Sequence, residues 1–530
     1  MKYVISYDIG TTGVKTCLFS IDKQVELIQG EYGSYSLYIL ENGGAEQDTE
    51  EWWSALSETT NRLLSKTQIA PEQIEGISFC SQMQGLVLVD REGNALRRPM
   101  SYMDQRAEDI YDKYAGAGPR ISGLGLGKLL PGLLITTAAP TSVKDPIWKY
   151  LWVKDHEPEI YARIHKWLDV KEYLICRATG EFVMTKDSAY ATFLYDSRKG
   201  REGWSKQLIR TFGVDPGHLP RIIDCSDTAG ILSEQAARDL GLVPGIKVFG
   251  GGGDATLIGI GAGCTGVGET HIYSGTSGWV STITDRQVVD IVAMIAAIVS
   301  ARPGYFNYFA EMETAGKCFE WVKEHLALDE IGIYLSKQTV AESRESEYIS
   351  LYDYLSDTVS KAEPGSGGLI FTPWLHGNRC PFEDPDAAGM FFNIKLETGK
   401  TEMMRAVLEG ICFHLRWMLE CQDKKIRTSD IIRFVGGGAL SKVTCQMLAD
   451  ITGRTIETVN DTQDVGAVGA AILAGVGLGV IPSVSEAKRF VSVKETYLPD
   501  PDKRKIYDKN YSVFQKLYQA NRKLFRIMND

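Results

Sequence analysis

Two short stretches constrain this chain more than any other part of it. "YDIGTTGVK", residues 7–15, and "YSGTSGWV", residues 273–280, each join two apolar runs through a glycine turn that carries a hydroxyl. Alternating apolar residues on either side of such a turn predict a β-hairpin. The hairpins lie about 265 residues apart, near the start of each half. That spacing predicts two halves of related design, with two chance hairpins as the alternative. A length of 530 residues admits roughly two to four domains. A hydrophobic share of 44% and a charged share of 24% are ordinary for a soluble globular chain.

Around the hairpins, strand-like and helix-like segments alternate, which predicts an α/β fold. "DTEEWWSALSETTNRLLSKT" carries Trp53, Leu56, Leu63 and Leu64 at helical spacing, with Asp48 and Thr49 as caps. "IEGISFCSQMQGLVLVD" predicts strand, loop and strand. Residues 145–180 predict helix, broken at Pro146 and Pro158 and stopped at Gly180. "IIRFVGGGALSKVTCQMLADITG" predicts a strand, a glycine turn and a helix. "DVGAVGAAILAGVGLG" predicts a helix of small residues suited to close packing, and the last 35 or so residues predict a capping helix. The boundary between halves falls near 245–260, so Asp254, after the glycines of "FGGGGDATLIGIG", is expected at a hinge, where ligand clefts form.

The net charge of −11, from 57 basic and 68 acidic residues, argues against a general nucleic-acid binder. No stretch approaches 18 apolar residues, so no membrane span is expected. The N-terminus has no signal-like apolar core, which predicts a cytoplasmic protein. The ten cysteines form no CxxC pair and the seven histidines no HExxH, so the cysteines read as small buried apolar residues.

Three glycine-rich turns follow strand-like runs: Gly10–Gly13, Gly275–Gly278 and Gly436–Ala439. Glycine lets backbone N–H groups approach an anion, and neighbouring hydroxyls add donors. Two Gly-Thr turns from opposite halves could clamp a polyphosphate, whereas each turn alone reads as an ordinary hairpin. GxxxxGK[ST] is absent, and the GxGxxG at 261–266 precedes a strand-like run instead of a helix, so neither standard nucleotide motif applies. Asp8, two residues before the first turn, is placed to hold Mg²⁺ or, alternatively, to cap the turn. Lys15 could neutralise phosphate or be a solvated lysine on the second strand.

With these motifs together, the chain resembles the FGGY carbohydrate kinases, and within them the xylulokinase group. The resemblance rests on "DIGTTGVK" (8–15), "AEQD" (45–48), "SQMQG" (81–85), "HKWLDVKEYLICRATGEF" (165–182), "GGGD" (251–254), "GTSGWV" (275–280), "FVGGGALS" (434–441) and "GAVGAAILAGVGLG" (466–479). It implies two actin-like, ribonuclease-H-like ATPase domains around an interdomain catalytic cleft. Residues 1–253 would carry the sugar side and first phosphate segment, 254–490 the nucleotide side, and 491–530 a helical extension. It also implies phosphorylation of a sugar hydroxyl by ATP with Mg²⁺.

By the same resemblance Asp254 is the catalytic base and Asp8 the second acid, the two being the expected metal ligands. Thr11, Thr12 and Lys15 form the first phosphate segment, and Gly275 and Thr276 the second. Gly316 lies near the nucleotide, with Glu320 one turn on, and Gly437, Gly438 and Ala439 form the adenosine motif. Met83 and Gln84 contact the sugar, with Asp104 and Arg106 in the segment behind them. The four glycines before Asp254 would bring bare backbone close to the transferring phosphate.

Two departures bear on the sugar. Gln84 stands where the group usually has histidine, and Ala255 where an amide usually follows the catalytic aspartate. A ketopentose, xylulose first, is the expected substrate, with L-ribulose, erythritol and glycerol as alternatives. "GLGLGKLLPGLLITTAAPTSVKDP" (123–146) falls where the family builds a sugar-side or interface element, which leaves a homodimer open. An actin- or heat-shock-type nucleotide-driven binding protein is the reading from another class. The "GGGD", "SQMQG" and "MSYMDQRA" segments weigh against it.

Overall fold

In the computed structural model, which describes residues 1–121, 123–327 and 351–529, the chain forms two large mixed sheets that share an order of six strands. The N-terminal sheet is built from β1 (Lys2–Ile9), β2 (Gly13–Ile21), β3 (Val25–Ser34), β4 (Ile74–Ser81), β5 (Thr228–Ile231), β6 (Lys247–Phe249) and β7 (Gly252–Gly253). Its order is β3-β2-β1-β4-β6-β5, with β7 also on β4. The C-terminal sheet is built from β8 (Thr270–Ser274), β9 (Gly278–Thr284), β10 (Val289–Asp290), β11 (Ile295–Val299), β12 (Phe306–Met312), β13 (Ile431–Val435), β14 (Thr455–Val459) and β15 (Val493–Tyr497). Its order is β10-β11-β12-β9-β8-β13-β14-β15.

Six strands of each half match in order and direction, while β7 in the N-terminal sheet and β10 and β11 in the C-terminal sheet have no counterpart. In each, three antiparallel strands begin at the Gly-Thr hairpin (β1, β2, β3 and β8, β9, β12). In each, two parallel strands follow (β4, β6 and β13, β14) and an antiparallel strand closes the far side. The repeat expected from two short turns is therefore present in the topology. Both faces of β1 and β2 are largely buried, including the polar Ser6 and Thr16, because these strands lie inside the sheet with helices on its faces. β3 alternates between half-buried and exposed positions, as suits an edge strand with one covered face.

Helices cover these faces. The helix Thr49–Lys66 begins where Asp48 accepts a hydrogen bond from the Glu50 N–H (2.9 Å), and it buries Trp52, Trp53, Leu56 and Leu63. The helix Lys400–Asp423 is buried along most of its length in the C-terminal core. All ten cysteines are buried and free.

The small-residue helix Val465–Gly477 is the close joint of the molecule. It packs on the helix Asp254–Gly261 and on β1 and β4. Glycine allows the approach: a Cβ at Gly261 would lie 1.9 Å from the Val465 carbonyl oxygen, and one at Gly469 2.4 Å from that of Leu257. The C-terminal part of the chain thus lies against the N-terminal sheet.

Two expectations need correction. Residues 145–180 are not helical throughout, because Lys166–Leu168 form a strand antiparallel to Val87–Val89, with Trp167 and Leu168 buried. The final stretch is not wholly a helical extension either. β15 completes the C-terminal sheet before the helix Pro501–Asn529 begins, since its residues pair with the otherwise open side of β14.

Candidate active site

The strand register brings the two acids together. Asp8 on β1 is opposite Cys80 on β4, and Cys80 is opposite Gly252 on β7. Asp254 follows two residues later as the first residue of its helix, with its Oδ1 accepting from the Ala255 N–H (2.7 Å). Packing explains the glycines in front of it. Gly251 has φ +63, and a Cβ there would lie 2.0 Å from the Phe79 carbonyl oxygen; one at Gly253 would lie 2.1 Å from Met83 Sδ. Gly251 and Gly253 are bare because they are pressed between β4 and the Met83 segment.

The Gly10–Gly13 turn closes through the Gly10 N–H to the Gly13 carbonyl (2.9 Å). Thr11 is half-buried, with its Oγ1 3.2 Å from the Tyr102 hydroxyl, and Thr12 is exposed. Lys15 reaches across to the other half, where its Nζ donates to the Gln463 carbonyl (2.6 Å) and pairs with Asp464 (3.1 Å). The second turn has Thr276 exposed, and the Gly275 carbonyl accepts from the Gly316 N–H (2.8 Å). The third packs beside it, where a Cβ at Gly438 would lie 2.8 Å from Ser274 Oγ. Ala439 is buried behind it, and Gly437 faces open space, its would-be Cβ meeting nothing nearer than 3.9 Å. Gly275, Thr276, Gly316, Gly437 and Gly438 therefore gather on one side. Glu320 is half-buried in the helix Gly316–Trp321.

The expected sugar-contacting pair, Met83 and Gln84, is half-buried, and Gln84 holds φ +64. Asp169 fixes that strained backbone by accepting from the Gln84 and Gly85 N–H groups, both at 2.9 Å. Lys149 braces it from below, donating to the carbonyls of Gln84 (3.0 Å) and Ser101 (2.6 Å). Gln82 Nε2 donates to Gln47 Oε1 (2.9 Å), and Gln47 Nε2 to the Thr11 carbonyl (2.6 Å), so this segment is tied to the first phosphate turn. Asp104 and Arg106 are closed off. Asp104 has no exposed surface and accepts from Ala45 and from Arg106, while Arg106 also pairs with Glu46 (2.8 Å). Their side chains shape the segment from behind.

Charge dominates the cleft. Burial, with Asp8, Glu311 and Asp169 nearby, pushes the Asp254 carboxyl up to about 7. Burial also raises Asp8, against the pull of Lys15 and the Cys80 thiol. Burial opposes the charge on Lys15, but Asp464 and Asp8 hold its ammonium above the usual value. The Asp254 shift has a stability consequence. Its folded value lies above the unfolded one, so its contribution is present near pH 4 and is lost as pH rises through about 7. Asp254→Asn removes that loss and is expected to stabilise the unliganded protein by on the order of 1–3 kcal/mol at pH 8. The gain should shrink toward pH 4, as thermal melts across that range will show.

The residues fit a magnesium ion and a nucleotide. Asp8 adds to the rise of the Asp254 carboxyl, a like-charge pressure that a divalent cation relieves, and oxygen donors suit magnesium. Among the described residues no three His, Cys, Asp or Glu side chains form a metal cage. Magnesium commonly takes one or two carboxylates and completes its shell with phosphate and water.

Several cleft residues carry no motif. β12 turns Asn307, Phe309 and Glu311 to one face, and Asn307 Nδ2 donates to the Ala255 carbonyl (3.2 Å). An amide thus reaches Ala255 from a distant strand. Arg379 binds Glu311 and, at 3.4 Å, Glu313. A charged residue at the end of the apolar run "FNYFA" is the one sequence signal that could have indicated Glu311.

Comparison with known proteins agrees with this geometry. Models of the FGGY family of carbohydrate kinases match residues 3–261 (N-terminal domain) and 271–478 (C-terminal domain). A xylulose kinase of Staphylococcus epidermidis is 28% identical over 531 residues, covering 99% of this chain and 98% of the relative. A gluconokinase of Bacillus subtilis is 28% identical over 511 residues, covering 96% and 93%. Among solved structures, a ligand-bound xylulose kinase and a gluconate kinase, both from Lactobacillus acidophilus, superpose with TM-scores of 0.84 and 0.83, each at 26% identity and 98% coverage of both chains. Among the described residues no helix is long and apolar enough to cross a membrane. A duplicated sheet, three glycine turns and two acids at adjoining strand ends thus meet family matches across both halves: the chain belongs to the FGGY family of carbohydrate kinases and is an enzyme that phosphorylates a sugar.

Proposed function

We propose that the chain transfers the γ-phosphoryl group of ATP to a hydroxyl of a neutral ketopentose, xylulose first, with Asp254 as general base. Residues 1–253 then supply the sugar side and first phosphate turn, 254–490 the nucleotide side, and 491–530 close the C-terminal half. The acceptor hydroxyl lies between Asp254 and the terminal phosphate. Asp254 takes its proton as the oxygen attacks phosphorus, a role that suits a carboxyl raised toward neutral pH. N–H groups of the Gly10–Gly13 and Gly275–Gly278 turns, with Lys15, offset charge on the phosphate oxygens. Asp8, with Asp254 beside it, would hold magnesium, which neutralises phosphate charge when bound.

Relatives of similar identity act on xylulose and on gluconate, so the charge of the acceptor has to be argued from the cleft. The observation that carries the choice is that its cations are already engaged. Asp254, Asp8, Glu311 and Glu313 are acidic, Arg379 is occupied by Glu311 and Glu313, and Lys15, beside Asp464, is committed to the phosphates. A sugar acid would bring a further negative charge into this field with neither of these two cations left to meet it, a costly arrangement. A neutral sugar meets donors and acceptors only. ADP release with D-xylulose, L-ribulose, erythritol, glycerol and D-gluconate checks this. We expect kcat/KM for xylulose to exceed that for gluconate by about 100-fold or more. Equal or faster turnover of gluconate would overturn the neutral-sugar reading, and a faster polyol would replace xylulose.

A further inference from the structure

Asp187 belongs to none of the catalytic motifs and is wholly buried. It stands in the first turn of the helix Lys186–Ala191. Its Oδ2 accepts from the Gly253 N–H (2.8 Å) and from Thr256 Oγ1 (2.8 Å). These donors come from the residue before Asp254 and from the second residue after it. Its Oδ1 accepts from Thr185 Oγ1 (2.5 Å) and from the Cys225 thiol (3.3 Å). Thr185 in turn takes a hydrogen bond from Lys171 Nζ (2.7 Å), and Lys171 is paired with Glu172 and bonded to Ser188. Lys171, Glu172, Thr185, Ser188 and Thr256 are all buried as well.

A buried ion pair is a poor means of stabilising a fold, because well-packed apolar residues do as well or better. Its value here is directional. The glycine run has no side chains to lock its backbone, and glycine has the widest freedom to lose. The parallel pairing of Gly252 and Gly253 with Cys80 and Ser81 holds one edge of the run. Asp187 takes the other edge and grips the first turn of the Asp254 helix through Thr256. Burial opposes its charge, yet Lys171 and the Thr185, Gly253 and Thr256 donors hold its carboxyl below the usual value, so it remains an acceptor. The same short segment carries Asp169, which holds the Gln84 and Gly85 N–H groups. Residues 169–172 thus connect the supports of the sugar side and of the base.

We propose that Asp187 is a positioning residue for phosphoryl transfer: by holding the Gly253 peptide and the Thr256 hydroxyl it sets the direction in which Asp254 faces the acceptor. This rests on Asp254 being the base. Misplacing a reacting group by about 1 Å can cost roughly 100-fold in rate. The test uses the full chain, ATP and whichever sugar of the panel turns over fastest. Asp187→Asn is expected to lower kcat about 30-fold, and Thr256→Val about 10-fold, with KM for ATP within about twofold. Thr256→Ser keeps the hydroxyl and should restore kcat to within about twofold. The double variant Asp187→Asn/Thr256→Val should lose little more than Asp187→Asn alone, since the two act as a unit.

Folded Asp187→Asn with unchanged kcat would overturn the proposal. So would a Thr256→Ser loss as large as that of Thr256→Val, or a loss confined to KM for ATP. If Asp187→Asn does not fold, the two Thr256 variants decide. Asp254→Asn separates the underlying reading: its full activity would remove the base, whereas its inactivity beside fully active Asp187→Asn and Thr256→Val would remove only the positioning role.

Discussion

Asp254→Asn is expected to lower kcat about 1,000-fold while nucleotide affinity stays within about twofold of the parent chain. The substitution is nearly isosteric. Its amide oxygen can still accept from the Ala255 N–H, so the helix start keeps its shape. It cannot take a proton from the acceptor hydroxyl. The three glycine turns and Lys15 are untouched, which is why nucleotide binding should survive. Steady-state kinetics with the preferred sugar, together with calorimetric titration of ATP, check both halves of the expectation. Turnover above about a tenth of the parent value would remove Asp254 from the role of base. Loss of ATP binding in step with kcat would point to a role in holding the nucleotide.

The second large effect is structural. Gly261→Ala should destabilise the protein by roughly 2–3 kcal/mol, the upper part of the usual range for overpacking. The new Cβ would meet the Val465 carbonyl oxygen at 1.9 Å and the Gly469 N at 2.9 Å. Both are backbone atoms, so no rotamer change relieves the contact, and one helix must move. Either movement reaches the cleft. The helix Asp254–Gly261 begins with the proposed base, and the helix Val465–Gly477 abuts Asp8, whose Oδ2 lies 3.0 Å from where a Cβ at Gly466 would stand. A melting temperature lower by several degrees and a reduced kcat are expected together. Gly479→Ala is the control for a glycine with open space around it. That residue has φ +74, so its cost should be local backbone strain without the loss of kcat.

Much of the site was legible in the sequence because its backbone devices are local. A strand, a Gly-Thr turn and a strand are contiguous, and glycine is needed at such turns for reasons that act within a few residues. The helix starting at Asp254 and the small-residue helix at 465–477 were legible for the same reason. The strand Lys166–Leu168 was not, since Trp167 and Leu168 fit a helical pattern equally well until Val87–Val89 arrive as pairing partners. β15 escaped notice likewise, because an edge strand of mixed polarity has little pattern of its own.

The residues with no sequence signal share one property: their work depends on partners far along the chain. Lys149 bonds carbonyls of residues 84 and 101, Asn307 reaches Ala255, Arg379 meets Glu311, and Asp187 grips Gly253 and Thr256. Even Gly251 and Gly253 acquired their reason only from Phe79 and Met83. By itself the sequence determined the two-fold α/β plan, the three glycine turns and the two acids, because period, turn chemistry and motif spacing are properties of adjacent residues. The tertiary structure alone decided how those parts face one another, which charges are already paired and which residues surround Asp254. Register and close packing join residues tens to hundreds of positions apart, and no local pattern encodes such a meeting.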